Sequence, residues 1–142
     1  MSKNHVLLAF LCSFCFTLSV SADYIDGQRA YASGDYEGAI LEWTQVAQDG
    51  NARAQYNLGW MHANGRGIAQ DFQEAIKWYT KSAEQGNVNA QYNLGRMYLL
   101  GKGGDKNFLE ARFWIKQALE NNDEYIGALA QQVWDDYKLG TY

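Results

Sequence analysis

Few side chains in this sequence could carry out chemistry, and their spacing does not favour it. The histidines are His5 and His62, and the cysteines are Cys12 and Cys15. A general base or nucleophile works only when a second group lies within hydrogen-bond reach to activate it. His62 closes the word "AQYNLGWMH" at 54–62, and that word returns at 90–98 as "AQYNLGRMY", with Tyr98 in its place. A position shared by His and Tyr is expected to hold a packed, hydrogen-bonded ring between helices. Asp123/Glu124 and Asp135/Asp136 are adjacent acidic pairs, and sequence neighbours on a helix do not face each other. They read as a solvated face rather than a catalytic dyad. "GKGG" at 101–104 suggests a phosphate cradle, but it lacks the preceding strand and the full loop spacing. No catalytic residue, metal ligand or cofactor is expected. What remains is the position that differs between the two copies of the word, Trp60 in one and Arg96 in the other. Trp, Tyr and Arg are the residue types that most often anchor binding surfaces.

The elements that position these residues begin after a leader. "MSKNHVLLAFLCSFCFTLSVSA" has a short polar start with Lys3 and His5, an apolar run from Val6 to about Val20, and small residues before Asp23. It reads as a secretory signal peptide over 1–22, cleaved between Ala22 and Asp23. Its apolar run is shorter than the ~20 residues of a membrane span. Neither cysteine has the Leu-small-small context of a lipid anchor. The mature chain, 23–142, would be periplasmic or secreted, with no membrane attachment after cleavage. Losing Lys3 leaves 11 Lys and Arg against 16 Asp and Glu, a net charge of −5. That balance argues against nucleic acid as a partner. Without cysteines, stability must come from packing, and ~120 residues bury enough surface for that.

The two words belong to a longer repeat. "AQYNLGWMHANGRGIAQDFQEAIKWYTKSAEQGN" from Ala54 aligns with "AQYNLGRMYLLGKGGDKNFLEARFWIKQALENND" from Ala90, a period of 36. A shorter third copy, "DYEGAILEWTQVAQDGN" from Asp35, lies 36 residues before its match at Asp71. A fixed period of this size marks a stacked array. Within a unit, Ala54, Leu58, Met61 and His62 keep helical spacing, as do Phe72, Ala75, Ile76, Tyr79 and Ala83. Gly65 and Gly67 supply the stop between the two helices. The fold class is all-α: a right-handed α-solenoid of about three helix-turn-helix units. The tail "ALAQQVWDDYKLG" from Ala128 predicts a capping helix, with Leu129, Val133, Trp134 and Tyr137 on its apolar stripe and Gly140 as its stop.

The word A-x-x-x-L-G-x-M-Y followed by G-x-G, then D-x-x-x-A-x-x-W and A-x-x-G, resembles the SEL-one-like repeat, a relative of the tetratricopeptide repeat. The match is strong over Ala54 to about Asn122 and looser over Tyr24 to Asn51. It departs at His62, at Asn107 in place of the aspartates at 35 and 71, and in a first unit four residues short in its loop. The resemblance implies that first helices line a concave groove. Trp60 and Arg96 would then stand side by side with Tyr56, Asn57, Asn64, Tyr92 and Asn93 as the partner-binding residues. Tyr56 and Tyr92 could equally fill the seam between repeats, and the asparagines could bond to nearby backbone.

Charge follows the same division. Residues 51–70 and 85–104 hold no Asp or Glu but do hold Arg53, Arg66, Arg96 and Lys102. A basic inner layer would steer an acidic or carboxylate-bearing partner. The expected function is an exported module that binds a protein or peptide, as an adaptor or an inhibitor or immunity-like partner. The alternative is a cell-envelope enzyme acting on cell-wall or lactam substrates; cysteine-rich members of the resembled family are linked to lactams, and this chain lacks their cysteines.

Overall fold

The computed structural model describes residues 24–141. The expected signal peptide, 1–22, and the expected cleavage point before Asp23 lie outside them. Among the described residues the chain forms helices and no strand: α1 (24–33), α2 (Tyr36–Gln48), α3 (Ala52–Asn64), α4 (Phe72–Glu84), α5 (Val88–Leu100), α6 (Phe108–Glu120), α7 (Glu124–Asp136) and a last 3-10 turn, Leu139–Thr141. Successive pairs α1–α2, α3–α4 and α5–α6 form hairpins that stack into an α-solenoid, with α7 laid over the last of them.

Local sequence accounts for this regularity. Each helix from α2 to α7 is 13 residues long and is preceded by Asp or Asn. Asn51 accepts from the backbone N–H of Ala54, Asn87 from Ala90, Asn107 from Glu110 and Asp123 from Ile126. These bonds satisfy donors that a helix start leaves unpaired. Gly65 and Gly101 end α3 and α5 in the left-handed region, at φ 63° and 66°, where a side chain is costly.

The hairpins close tightly because one residue in each first helix has no side chain. A Cβ on Gly59 would lie 2.6 Å from the Tyr79 ring, and one on Gly95 would lie 2.7 Å from Ile115. Gly27 stands in the same relation to Trp43, at 2.4 Å. "YIDGQ" in α1 therefore corresponds to "YNLGW" in α3 and "YNLGR" in α5. The first spacing is 32 rather than 36, because only Gly34 and Asp35 join α1 to α2.

Buried amides tie one hairpin to the next. Gln55 donates to Ala47 O at 3.0 Å, and Gln91 donates to Ala83 O at 3.2 Å. Gln85 in turn donates to the Gln55 Oε1 at 2.8 Å. One unit later the corresponding residue is Asn121, a methylene shorter, and it bonds Gly86 O instead. The Oε1 of Gln91 is left without a hydrogen-bond partner.

Each long loop also grips the second helix of the previous hairpin. Gly67 lies against the backbone of Tyr36, with the Arg66 guanidinium 4.7 Å from the centre of the Tyr36 ring. Gly103 lies against Phe72 and Ile76, with the Lys102 ammonium 5.1 Å from the centre of the Phe72 ring.

The tail differs from its expectation. α7 begins at Glu124 and ends at Asp136, so Gly140 is not its stop. Lys138 takes the turn at φ 51°, and Leu139 folds back to full burial beside Leu99, Ile115 and Ala130. Ile126 and Ala130 are the buried residues of α7, while Leu129, Val133 and Trp134 are half-buried around them.

Candidate functional site

The odd-numbered helices α1, α3, α5 and α7 share one face, and three adjoining clefts run along it. The first, about 330 Å³, lies between α1 and α3 and is lined by Tyr24, Gln28 and Tyr31 opposite Tyr56, Asn57 and Trp60, with Trp43 behind them. The second, about 360 Å³, lies between α3 and α5; Tyr56, Trp60 and Asn64 face Tyr92, Asn93 and Arg96 across it, and Lys102 reaches its edge. The third, about 250 Å³, lies between α5 and α7, where Tyr92 and Arg96 meet Leu129, Gln132, Asp136 and Tyr137. All seven residues singled out from the sequence therefore line this face. Tyr56 and Trp60 border the first two clefts, and Tyr92 and Arg96 border the last two.

These side chains are engaged to different degrees. Arg96 is exposed, its guanidinium 5.5 Å from the centre of the Tyr92 ring. Trp60 is half-buried and packs against the apolar clusters on both sides of α3. Its edge meets Tyr31 at 6.2 Å between ring centres. Trp60 therefore serves the core as well as the cleft, because α1 folds over it. Tyr56 is both seam and lining: its ring lies 5.8 Å from that of Tyr79. Asn93 bonds the phenol groups of Tyr56 and Tyr79. Burial raises both phenols above their ordinary range, Tyr79 most, and the Asn93 bond offsets only part of that rise. Asn64 donates to Trp60 O at 2.8 Å, within its own helix.

Two other expectations change. Of the basic residues assigned to an inner layer, only Arg96 and Lys102 reach the clefts; Arg66 is turned onto Tyr36, and Arg53 is exposed elsewhere. His62 is half-buried as expected, yet its buried Nδ1 has no hydrogen-bond partner. Among the described residues no group of three or more His, Cys, Asp or Glu is placed to hold a metal ion. No helix among them is long and apolar enough to cross a membrane.

The α1 residues Tyr24, Gln28 and Tyr31 were not singled out from the sequence. Their signal is the Tyr-x-x-Gly at 24–27, repeated at 56–59 and 92–95. A search at a strict period of 36 passes over it.

The family model of the Sel1 repeat matches residues 52–87 and 88–123, half of the chain. The chain belongs to the Sel1 repeat family. Its fold is similar to that of a Sel1 repeat protein from Oxalobacter formigenes, with 35% identity and a TM-score of 0.71 over 88% of this chain and 97% of that one. It is also similar to a protective antigen present in uropathogenic Escherichia coli strains that displays an SLR fold, with 27% identity and a TM-score of 0.75 over 83% of this chain. The chain spans only 26% of that antigen's length. Helicobacter pylori cysteine rich protein B shares the fold at 16% identity, with a TM-score of 0.60 over 78% of this chain and 94% of that one. No curated protein sequence matches the chain. Sel1 repeats form a scaffold typical of protein–protein interaction modules and generally without catalysis.

Proposed function

We propose that this protein is an exported binding module that holds a protein or peptide along the α1–α3–α5 face, as an adaptor or as an inhibitor or immunity-like partner, and performs no chemistry of its own. The observation that carries this reading is the run of clefts walled by Tyr56, Trp60, Tyr92 and Arg96, two large rings, an indole and a guanidinium on one open surface. Such side chains bury much area or form paired hydrogen bonds when a partner arrives. Arg96 and Lys102 favour an acidic or carboxylate-bearing contact. Placement in the periplasm or outside the cell rests on the leader at 1–22.

The test is affinity purification of the tagged protein from the exported fraction, with N-terminal sequencing of the same sample. The expected result is a stoichiometric protein retained by the wild type and lost with Arg96→Ala, on a chain that starts at Asp23. A companion retained equally by Arg96→Ala, or turnover of cell-wall fragments by the purified protein, would overturn the reading. A chain that starts at Met1 would overturn its location.

A further inference from the structure

The clefts differ in charge, and their order along the groove describes a ligand. Five aromatic rings wall the first, with Trp43 behind and Trp60 on its border, and no charged side chain reaches it. Its side-chain polar groups are uncharged: the amides of Gln28 and Asn57, the phenol groups, and the indole N–H groups, of which that of Trp43 donates to Tyr24 O. A site of this kind takes a bulky uncharged group, which buries area against the rings. The second cleft begins on the other side of Trp60, and its charged side chains, Arg96 and Lys102, are both cations. Neither is ion-paired among the described residues; each lies over an aromatic ring instead. A carboxylate is the group that satisfies such a pair, and a Lys or Arg would be repelled.

Geometry sets the distance between the two preferences. The clefts flank α3, so their centres lie about one helix spacing apart, ~8–10 Å. A polyproline II segment rises ~3.1 Å per residue with three residues per turn, so side chains three residues apart project to the same side and lie ~9 Å apart. We infer that the ligand is a peptide segment in the polyproline II conformation with an aromatic or large aliphatic side chain in the α1–α3 cleft and an Asp or Glu, three residues away, in the α3–α5 cleft. This inference rests on the groove-binding reading proposed above and adds the ligand's pattern to it.

Selection of a random peptide display library on the purified protein tests it, followed by affinity measurement with labelled synthetic peptides. The expected sequences share an aromatic or large aliphatic residue and an acid at a separation of three. Replacing the acid with its amide, or replacing Arg96→Ala in the protein, should each weaken binding about tenfold, as loss of a charge-assisted contact does. A library selected on Arg96→Ala should keep the apolar residue and lose the acid. Peptides that depend on Trp60 and Arg96 but show no such spacing would overturn this inference and leave the groove reading standing. Peptides indifferent to both substitutions, or no selected peptide from a protein whose circular dichroism shows intact helix, would overturn the two together.

Discussion

Trp60 and Arg96 share a register in successive repeats, yet the fold uses them differently. Arg96 is exposed, and its loss should move stability by no more than ~0.5 kcal/mol. Binding should weaken about tenfold or more, and its salt dependence should flatten, since a steering charge acts through a field screened over ~8–10 Å. Trp60→Ala carries a second effect. The indole fills space between two clusters and meets Tyr31, so its removal should cost about 1.5–3 kcal/mol of stability as well as affinity. Thermal unfolding and isothermal titration of both variants separate the cases; equal melting shifts would contradict the assignment. Tyr79 supplies a further test. Its folded pKa lies above its ordinary 10.0, so the unfolded chain ionises first. Stability contributed by the neutral phenol is complete below pH ~10 and is lost as pH rises beyond it. Circular dichroism across the alkaline range should show Tyr79→Phe unfolding at higher pH than the wild type, and an unchanged midpoint would refute the linkage. The sequence located position 60/96 because two near-identical words disagree there. It could not tell an exposed site from a half-covered one, since the covering residue, Tyr31, lies in a helix out of step with the 36-residue period.

At the level of the helices, Gly27, Gly59 and Gly95 set how closely each hairpin closes. Gly59→Ala places a methyl group 2.6 Å from the Tyr79 ring and should cost ~1–3 kcal/mol through overpacking, with Gly27→Ala similar against Trp43. A chemical denaturation midpoint unchanged in both variants would mean that the hairpins are not held by these crossings. Much of this layer was legible. The helix stops at Gly65 and Gly101 and the pairing of first with second helices follow from the repeated letters and their spacing. The loops were less so, because Arg66 and Lys102 look alike as charges in a string. Only in three dimensions does Arg66 settle on Tyr36 alone while Lys102, over Phe72, also borders a cleft. The tail was misread in its ends, since its last apolar letter, Leu139, serves the core from a turn rather than from a helix.

Across the described residues as a whole, stability is spread over three small clusters, one at each level of the stack, and the last depends on Leu139 and its neighbours in α7. Leu139→Ala should therefore cost ~2–5 kcal/mol although it lies three residues from the end. Removal of 123–142 should go further, opening Leu99, Ile115 and Ala118 to water and producing aggregates on size exclusion. A monomeric, fully helical truncation would show that α7 is dispensable. The loop grips bear on how such a chain can change its length. Excision of 52–87 would join Asn51 to Val88, restoring the same Gly-Asn turn that precedes α3 and α5. Lys102 and Gly103 would then arrive over Tyr36, in the place held by Arg66 and Gly67, and Gln91 would meet Ala47 as Gln55 does. The stack would lose one storey and keep its joints, while the cleft face would lose Trp60 and bring Arg96 up against α1. Duplication and deletion of whole units can thus rewrite the side chains this surface presents in single steps, without passing through a misfolded intermediate sequence.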